Sequence, residues 1–214
     1  MKDRLSVKII NLAHRQDRKD ECRKEMAAIG WSEADYSFFN ARQMPDSPGR
    51  GCALSHGAAI ADFLFTDDKP FLLVLEDDFT IRAGADFLAA LEAAINQSGF
   101  WDVFLLAHNA AVPIARTPMA DVFRVIHAQT TSAYLVGRLY ASRLMEIFFR
   151  SAEMQNRTRN IPSPAREAAD ILFRCDIMWK QLQINDRFCS QIPALTTQRA
   201  SYSDVEKKMV DYGV

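Results

Sequence analysis

The sequence lacks long hydrophobic runs and blocks of like charge. No apolar stretch approaches the ~18 residues that a membrane span needs, and Met1 to Val7 has no apolar core of a signal peptide. We therefore expect a cytoplasmic protein, and peripheral contact with the inner membrane face stays open. Lys plus Arg number 26 against 27 Asp plus Glu, for a net charge of -1. Without a basic arm, nucleic acid is not an expected partner.

Cysteine is also scarce, with four residues and no CxxC pair. We therefore expect free structural thiols in a reducing compartment. Of the 214 residues, 49% are hydrophobic, 25% charged and 10% aromatic, a composition that excludes disorder, collagen and low complexity. The chain is long enough to bury a sizeable core, and we predict one domain over 1–214.

Segments with strand and helix patterns alternate along the first half, which predicts an α/β fold with a Rossmann-like, mainly parallel central sheet flanked by helices. The predicted strands are Val7–Leu12, Tyr36–Asn40, Phe71–Leu75, Trp101–Leu106, Val122–His127, Ser132–Val136 and Arg187–Ser190. The first predicted helix opens around Arg15 and Arg18 and runs to Gly30. The other predicted helices are Gly51–Phe65, Asp86–Ile95, Ala141–Phe149 and Ala165–Leu182. Ligands of such sheets bind at the carboxyl ends of strands, here after Leu12, Leu75 and Leu106.

Two segments without apolar periodicity are predicted to be loops. Ala107–Ala120 contains two prolines and reads as a long loop, and Ser151–Pro164 is polar, basic and proline-containing. Long loops in compact domains often carry function. We therefore predict that Ser151–Pro164, together with Ala107–Ala120, forms a mobile lid over a bound ligand.

Three acids, Glu76, Asp77 and Asp78, directly follow the apolar strand that ends at Leu75. Carboxylates crowded at one strand end repel one another unless a cation or a proton is shared. Their hard oxygens suit Mn²⁺ or Mg²⁺ bridging to substrate phosphates. The simpler alternative is a turn or helix cap. An aspartyl-phosphate phosphatase is a further alternative, but Glu76 stands where its nucleophilic Asp is required.

Two weaker polar features precede the acids. Arg15 and Arg18 are three residues apart at the start of a predicted helix, where guanidinium groups and helix N-terminal amides suit a diphosphate. Ser55 and His56 form a polar pair inside an otherwise apolar helix. A histidine in that setting is more commonly a core residue with satisfied hydrogen bonds than a ligand.

Together these motifs resemble the family-25 glycosyltransferases, which include bacterial lipopolysaccharide galactosyltransferases and collagen galactosyltransferases. The resemblance runs in order along nearly the whole chain. It rests on Ile10-Asn11-Leu12, Arg15, Asp17-Arg18, Gly51-Cys52, Ser55-His56, Leu75-Glu76-Asp77-Asp78, Thr131-Ser132-Ala133-Tyr134, Val136, Arg138, Pro193, Gln198-Arg199 and Tyr202-Ser203-Asp204-Val205-Glu206.

The resemblance implies a GT-A-like fold and inverting transfer of a sugar, with galactose from UDP-galactose the expected donor, to a glycan or glycolipid acceptor with help from Mn²⁺. It implies Asp78 as the direct metal ligand, with Asp77 as the second. Asp77 or Glu76 would contact the donor ribose or a metal-bound water. The residues implied in nucleotide-sugar binding are Asn11, Arg15, Arg18, Ser55, His56, Glu76, Asp77 and Gln198. A non-catalytic sugar-nucleotide-binding relative and a phosphatase or nucleotidyltransferase using the same acids stay as alternatives.

An inverting transferase also needs a base that takes the proton of the acceptor hydroxyl. The candidates are Asp170, Asp176 and Asp186. We predict Asp176 as the catalytic residue, because the flanking Cys175, Ile177, Met178 and Trp179 are apolar and would raise the carboxyl pKa. The alternative is a surface aspartate paired with a neighbouring basic residue.

Overall fold

The structure is a computed structural model that describes residues 1–82, 86–203 and 208–210, with backbone only for 201–203 and 208–210. Asp204, Val205 and Glu206 of the C-terminal motif lie outside the described residues. The helices are α1 (Gln16–Ala28), α2 (Pro48–Thr66), α3 (Phe87–Asn96), α4 (Arg138–Thr158), α5 (Ala165–Leu172), α6 (Cys175–Met178) and α7 (Lys180–Asn185). The strands are β1 (Leu5–Asn11), β2 (Ser37–Asn40), β3 (Phe71–Glu76), β4 (Phe79–Ile81), β5 (Val103–Leu105), β6 (Val112–Arg116), β7 (Val122–Ile126), β8 (Ala133–Gly137), β9 (Phe188–Gln191), β10 (Thr196–Gln198), β11 (Ser201–Ser203) and β12 (Lys208–Val210).

An eight-stranded sheet with the order β2-β1-β3-β8-β5-β9-β7-β6 forms the centre of the fold. β1 is parallel to β2 and β3, and β5 is parallel to β9. β8 runs antiparallel to both of its neighbours, as β7 does. Every strand of this sheet except β7 and β8 therefore points the same way. The predicted α/β class, with a mainly parallel sheet flanked by helices, is confirmed.

The reversed strand β8 changes which residues meet at one edge of the sheet. Ile10 on β1 faces Glu76 on β3, so the residues after both strands emerge together. Leu75 pairs with Ala133, the first residue of β8. The segment before β8 therefore reaches the same edge as the ends of β1 and β3.

Side chains of the central strands alternate between two apolar layers, as the two-residue period of a strand requires. Leu73 and Leu75 pack with α1 and α3, whereas Leu72 and Val74 pack with α2 and α4. All four are fully buried, and each contributes roughly 2 kcal/mol of hydrophobic stabilisation. The run is apolar throughout because both of its faces are covered.

The prediction of a mobile lid at Ser151–Pro164 is wrong, because most of this segment is helical. α4 continues through Thr158, and Ser151, Ala152 and Gln155 are buried. The Ser151 hydroxyl donates to the Phe173 carbonyl at 2.6 Å, and Gln155 Nε2 donates to the same oxygen at 3.0 Å. These long-range contacts hold the polar segment on the core, which local composition does not reveal.

Two further elements differ from the predictions. Ala107–Ala120 contains the edge strand β6, whose residues are all exposed and include Pro113. Exposure on both faces removes the alternating pattern by which a strand is recognised. The predicted helix Ala165–Leu182 is three helices, and the first ends where the Phe173 carbonyl accepts from α4. Within the described ranges, no helix is both long and apolar enough to cross a bilayer.

Candidate functional site

The three predicted acids lie together at the edge where β1 and β3 end and β8 begins. Asp77 is 7% exposed and Asp78 8% exposed, so both carboxyl groups are largely removed from water. Glu76 is the last residue of β3, and its backbone N–H donates to the Ser132 carbonyl at 2.7 Å. Pairing to the segment before β8 thus holds the strand end in place.

Asp77 is held by two side chains from the first βα unit. Asn11 Nδ2 donates to its Oδ2 at 2.7 Å, and Arg18 donates to its Oδ1 at 2.5 Å. Burial raises the pKa of Asp77 although Arg18 and Asn11 oppose that shift. Arg18 is itself buried and also lies 3.8 Å from Asp78. Its guanidinium therefore neutralises part of the acid cluster, whereas the sequence had suggested an open diphosphate cradle.

Asp78 has one carboxylate oxygen that no described residue hydrogen-bonds. Its Oδ1 is buried without a hydrogen-bond partner in the described part of the chain, and so are Asn11 Oδ1 and Ser132 Oγ. Burial, together with the charges of Glu76 and Asp77, raises the pKa of Asp78 to about 7. Buried polar atoms ordinarily have partners. An orphaned carboxylate oxygen beside other acids fits a divalent cation, so these residues could hold the Mn²⁺ or Mg²⁺ predicted from the sequence.

Two side chains, those of Thr131 and His56, orient Glu76 through one of its carboxylate oxygens. Thr131 Oγ1 donates to its Oε1 at 2.6 Å, and His56 Nε2 lies 3.1 Å from the same oxygen. Burial raises the pKa of Glu76, but the contacts with His56 and Thr131 outweigh it, and the net shift is downward. His56 is fully buried, with Nδ1 3.0 Å from the Tyr134 hydroxyl. It therefore positions Glu76 from within the core.

The other predicted nucleotide-binding residues occupy different settings. The Ser55 hydroxyl donates to the Gly51 carbonyl and accepts from the Arg42 N–H at 2.8 Å, so it anchors the chain before α2. Arg15 is half-buried and pairs with Asp17 at 2.9 Å. Gln198 accepts from Thr130 Oγ1 at 2.7 Å, and its side chain opposes the rise in the pKa of Asp78. Gln198 therefore lies beside the acid cluster.

Asp176, the predicted base, lies in the first turn of α6 and reaches the same cluster through Thr130. The Thr130 N–H lies 3.5 Å from Asp176 Oδ2, while its hydroxyl bonds Gln198. Burial raises the pKa of Asp176, and the charge of Glu76 adds to that shift. Thr130 has a φ of 66°, a conformation that costs a non-glycine residue energy. Of the alternative bases, Asp186 instead accepts from Tyr140 and Arg143.

The sequence alone indicated no role for Thr130, Thr131 and Tyr134. Thr131 and Tyr134 nevertheless belong to one of the motifs that resemble family 25. The sequence also did not indicate that Cys52, His56 and Glu76 place potential ligand atoms within 4.8 Å of one another. The hydrogen bond with Cys175 and burial raise the pKa of Cys52 well above its usual range. The thiol of Cys52, 3.7 Å from that of Cys175, therefore borders His56 and Glu76.

Arg18→Gln is expected to lower the free energy of unfolding by about 3 kcal/mol, because it leaves two buried carboxyl groups without their cation. The loss should be larger at pH 8 than at pH 5, because protonation at low pH removes the uncompensated negative charge of the two buried carboxyl groups. Thermal unfolding at both pH values measures it.

Arg23→Gln is the matched control, because the partners of Arg23, Asp20 and Glu33, are surface residues and exposed pairs contribute little. Equal, small losses in both variants would contradict the role of Arg18.

Comparisons with known proteins concern the fold alone. No family model and no curated protein matches this chain. Among solved structures, A197 from STIV is similar with a TM-score of 0.50, at 15% identity over 97% of this chain and 93% of A197. A glycosyltransferase involved in glycosylation of the major capsid of PBCV-1 has a TM-score of 0.49, at 9% identity over 95% and 97%. UDP-glucose pyrophosphorylase complexed with UDP-glucose has a TM-score of 0.47, at 9% identity over 87% and 72%. The likeness to A197 is one of fold and extends over almost the whole of both chains.

Proposed function

We propose that this chain is a metal-dependent, inverting glycosyltransferase of the family-25 type, which moves a sugar, with galactose the expected one, from a UDP-sugar to a glycan. The observation that carries the proposal is the group of orphaned buried oxygens on Asn11, Asp78 and Ser132 at one strand edge. A structural acid cluster would satisfy its own oxygens, whereas a binding site leaves them for a ligand. The order of motifs along the chain supports the same reaction.

Each polar group of the site has a task in this reaction. Asp78, with Asp77 beside it, would hold a divalent cation, which when bound supplies positive charge to the departing diphosphate. Arg18 and Asn11 keep Asp77 oriented, while His56 and Thr131 keep Glu76 oriented toward the donor. Positioned charges of this kind need little reorganisation during the reaction.

Asp176 supplies the proton acceptor. The acceptor hydroxyl oxygen attacks the anomeric carbon, the bond from that carbon to the UDP oxygen breaks, and UDP leaves with the electron pair of that bond. The hydroxyl proton passes to the carboxylate of Asp176. Its raised pKa makes it a stronger base than an exposed aspartate. Attack opposite the leaving group inverts the anomeric configuration.

The acceptor in this proposal is a glycan or glycolipid, with lipopolysaccharide as one candidate class. Such an acceptor would be met in the cytoplasm or at the inner membrane face. A panel of oligosaccharide and glycolipid acceptors, assayed with one donor, identifies the class by its turnover.

A thermal-shift panel of nucleotide sugars, with and without Mn²⁺, tests donor binding, because a ligand specific for the native state raises the melting temperature. We expect UDP-sugars to raise it by several degrees with Mn²⁺ and much less without. Product analysis then separates the alternatives: a transferase releases UDP only with acceptor. Release of phosphate or pyrophosphate would assign a phosphatase or nucleotidyltransferase, and binding without UDP release would assign a non-catalytic relative.

A further inference from the structure

A cavity of about 360 Å³ lies beside the first turn of α2, between residues 43–47, the C-terminal end of α4 and α5. Arg50, Arg159 and Arg166 line it, together with the carboxylates of Asp46 and Asp170. This volume matches pockets that hold small ligands. None of the residues assigned above to the metal, the donor or the proton lines this cavity.

Within the part of the chain that the structure describes, the side chains of the three cavity arginines have no partner. Among residues 1–82, 86–203 and 208–210, none of their guanidinium groups forms an ion pair or a side-chain hydrogen bond. The Nε atom of Arg50 is buried without a hydrogen-bond acceptor. A buried guanidinium atom with no acceptor costs free energy unless a ligand supplies one. Three unpaired arginines around one space are therefore suited to an anion.

Two features of the cavity wall lie next to Arg50, namely tight packing between Gly49 and Gln155 and an uncapped helix start. Gln155 is 3% exposed and lines the cavity, and a side chain at Gly49 would come within 2.8 Å of its Oε1. Ser47 makes no capping hydrogen bond at the start of α2, so its side chain leaves the first-turn N–H groups free of a cap. The 19-residue helix adds partial positive charge at this end.

The two aspartates that line the cavity indicate that its ligand carries hydroxyl groups in addition to an anionic group. A carboxylate repels an anionic group but accepts hydrogen bonds from hydroxyl groups. A sugar that carries one anionic substituent satisfies both kinds of residue, with the substituent on the arginines and hydroxyls on Asp46 and Asp170. Cavity size and residue chemistry therefore agree on an anionic sugar.

We propose that this cavity binds an anionic sugar unit of the acceptor, carrying a phosphate or a carboxylate group, and this inference rests on the proposed glycosyl transfer. α2 connects the two sites: Arg50 lies in its first turn, and His56, which contacts Glu76, lies six residues on. At 1.5 Å per residue this is about 9 Å along the helix. An acceptor of a few sugar units spans that distance, so the arginines would anchor one unit while another meets the donor.

Isothermal titration of the full chain tests the inference directly, without turnover. Glucose 6-phosphate, glucuronate, inorganic phosphate and glucose are titrated into protein already saturated with UDP and Mg²⁺, so that the donor site does not compete. We expect at least one charged sugar to bind, with affinity that falls as salt rises, and glucose to bind much more weakly. Glucose 6-phosphate alone would assign a phosphate source, and glucuronate alone a carboxylate source.

Arg50→Gln is expected to weaken binding of the charged sugar at least tenfold. The double variant Arg159→Gln/Arg166→Gln is a second test, because both arginines are exposed and their replacement should leave the fold intact. Arg150→Gln is the matched control, because Arg150 is exposed on α4 and does not line the cavity. Equal affinity in wild type and both cavity variants, or no binding of any charged probe, would overturn the inference. Inorganic phosphate binding as tightly as glucose 6-phosphate would overturn its sugar part. UDP binding in the same samples reports on the proposed function separately.

Discussion

Asp78→Asn is expected to abolish metal-dependent turnover while making the metal-free protein more stable at pH 8. The pKa of Asp78 is about 7 in the fold against 3.8 ordinarily. The folded state therefore holds a proton that the unfolded state has lost between pH 4 and pH 7, and stability falls as pH rises through that window. At ~1.4 kcal/mol per pKa unit, the cost above pH 7 is on the order of 4 kcal/mol. Asparagine removes this cost with little change in volume.

Thermal unfolding without metal measures the effect, and a rise of roughly 10 °C at pH 8 is expected for a chain of this size. The difference should shrink toward pH 4, and Mn²⁺ should raise the melting temperature of wild type only. Asp102→Asn is the matched control: burial opposes the shift, but hydrogen bonds from Arg187 lower the pKa of Asp102. That variant should lose stability at pH 8 and keep its turnover. Near wild-type turnover of Asp78→Asn at limiting Mn²⁺ would refute the metal role.

The second large effect concerns Asp176. Asp176→Asn is expected to bind UDP-sugar and Mn²⁺ normally and to lose ~10²-fold or more in transfer rate, the scale of a deleted general base. Because the carboxylate is the active form, wild-type transfer should fall as pH drops through a pKa above the ordinary aspartate value. The variant should lack this acidic limb. Rapid-quench measurement of a single turnover separates the transfer step from product release.

Asp186→Asn is the control for Asp176, because Asp186 bonds Tyr140 and Arg143 and lies outside the proposed machinery. It should lose stability and keep its transfer rate. An Asp176→Asn variant that transfers sugar at the wild-type rate would move the base to another residue.

Much of the fold could be predicted because its signals are local. The apolar run Phe71–Leu75 and the small-residue segment around Gly51–Phe65 became β3 and α2, since burial on several faces leaves a mark on consecutive residues. The position of the acids followed too, because residues after a parallel strand emerge at its carboxyl end. These features depend on spacing along the chain.

Charge balance within the acid cluster could not be predicted in the same way. The crowded carboxylates predicted a shared cation or proton, whereas the structure shows that Arg18 already neutralises part of their charge at 2.5 Å from Asp77. That contact joins residues 59 positions apart. Whether a basic residue in a helix turns inward depends on how α1 packs against the strands, which its own sequence does not report.

The sequence by itself determined the α/β class, the main strands and the strand end that carries Glu76, Asp77 and Asp78, because periodicity and residue order are properties of the chain. The tertiary structure alone decided that β8 is reversed, which brings Thr130 and Thr131 to the acids, and that Ser151 lies on the buried face of α4. It also decided that Arg50, Arg159 and Arg166 share one cavity. Strand direction and contacts between distant segments follow from burying both faces of the sheet at once, and that requirement is met only by the folded chain as a whole.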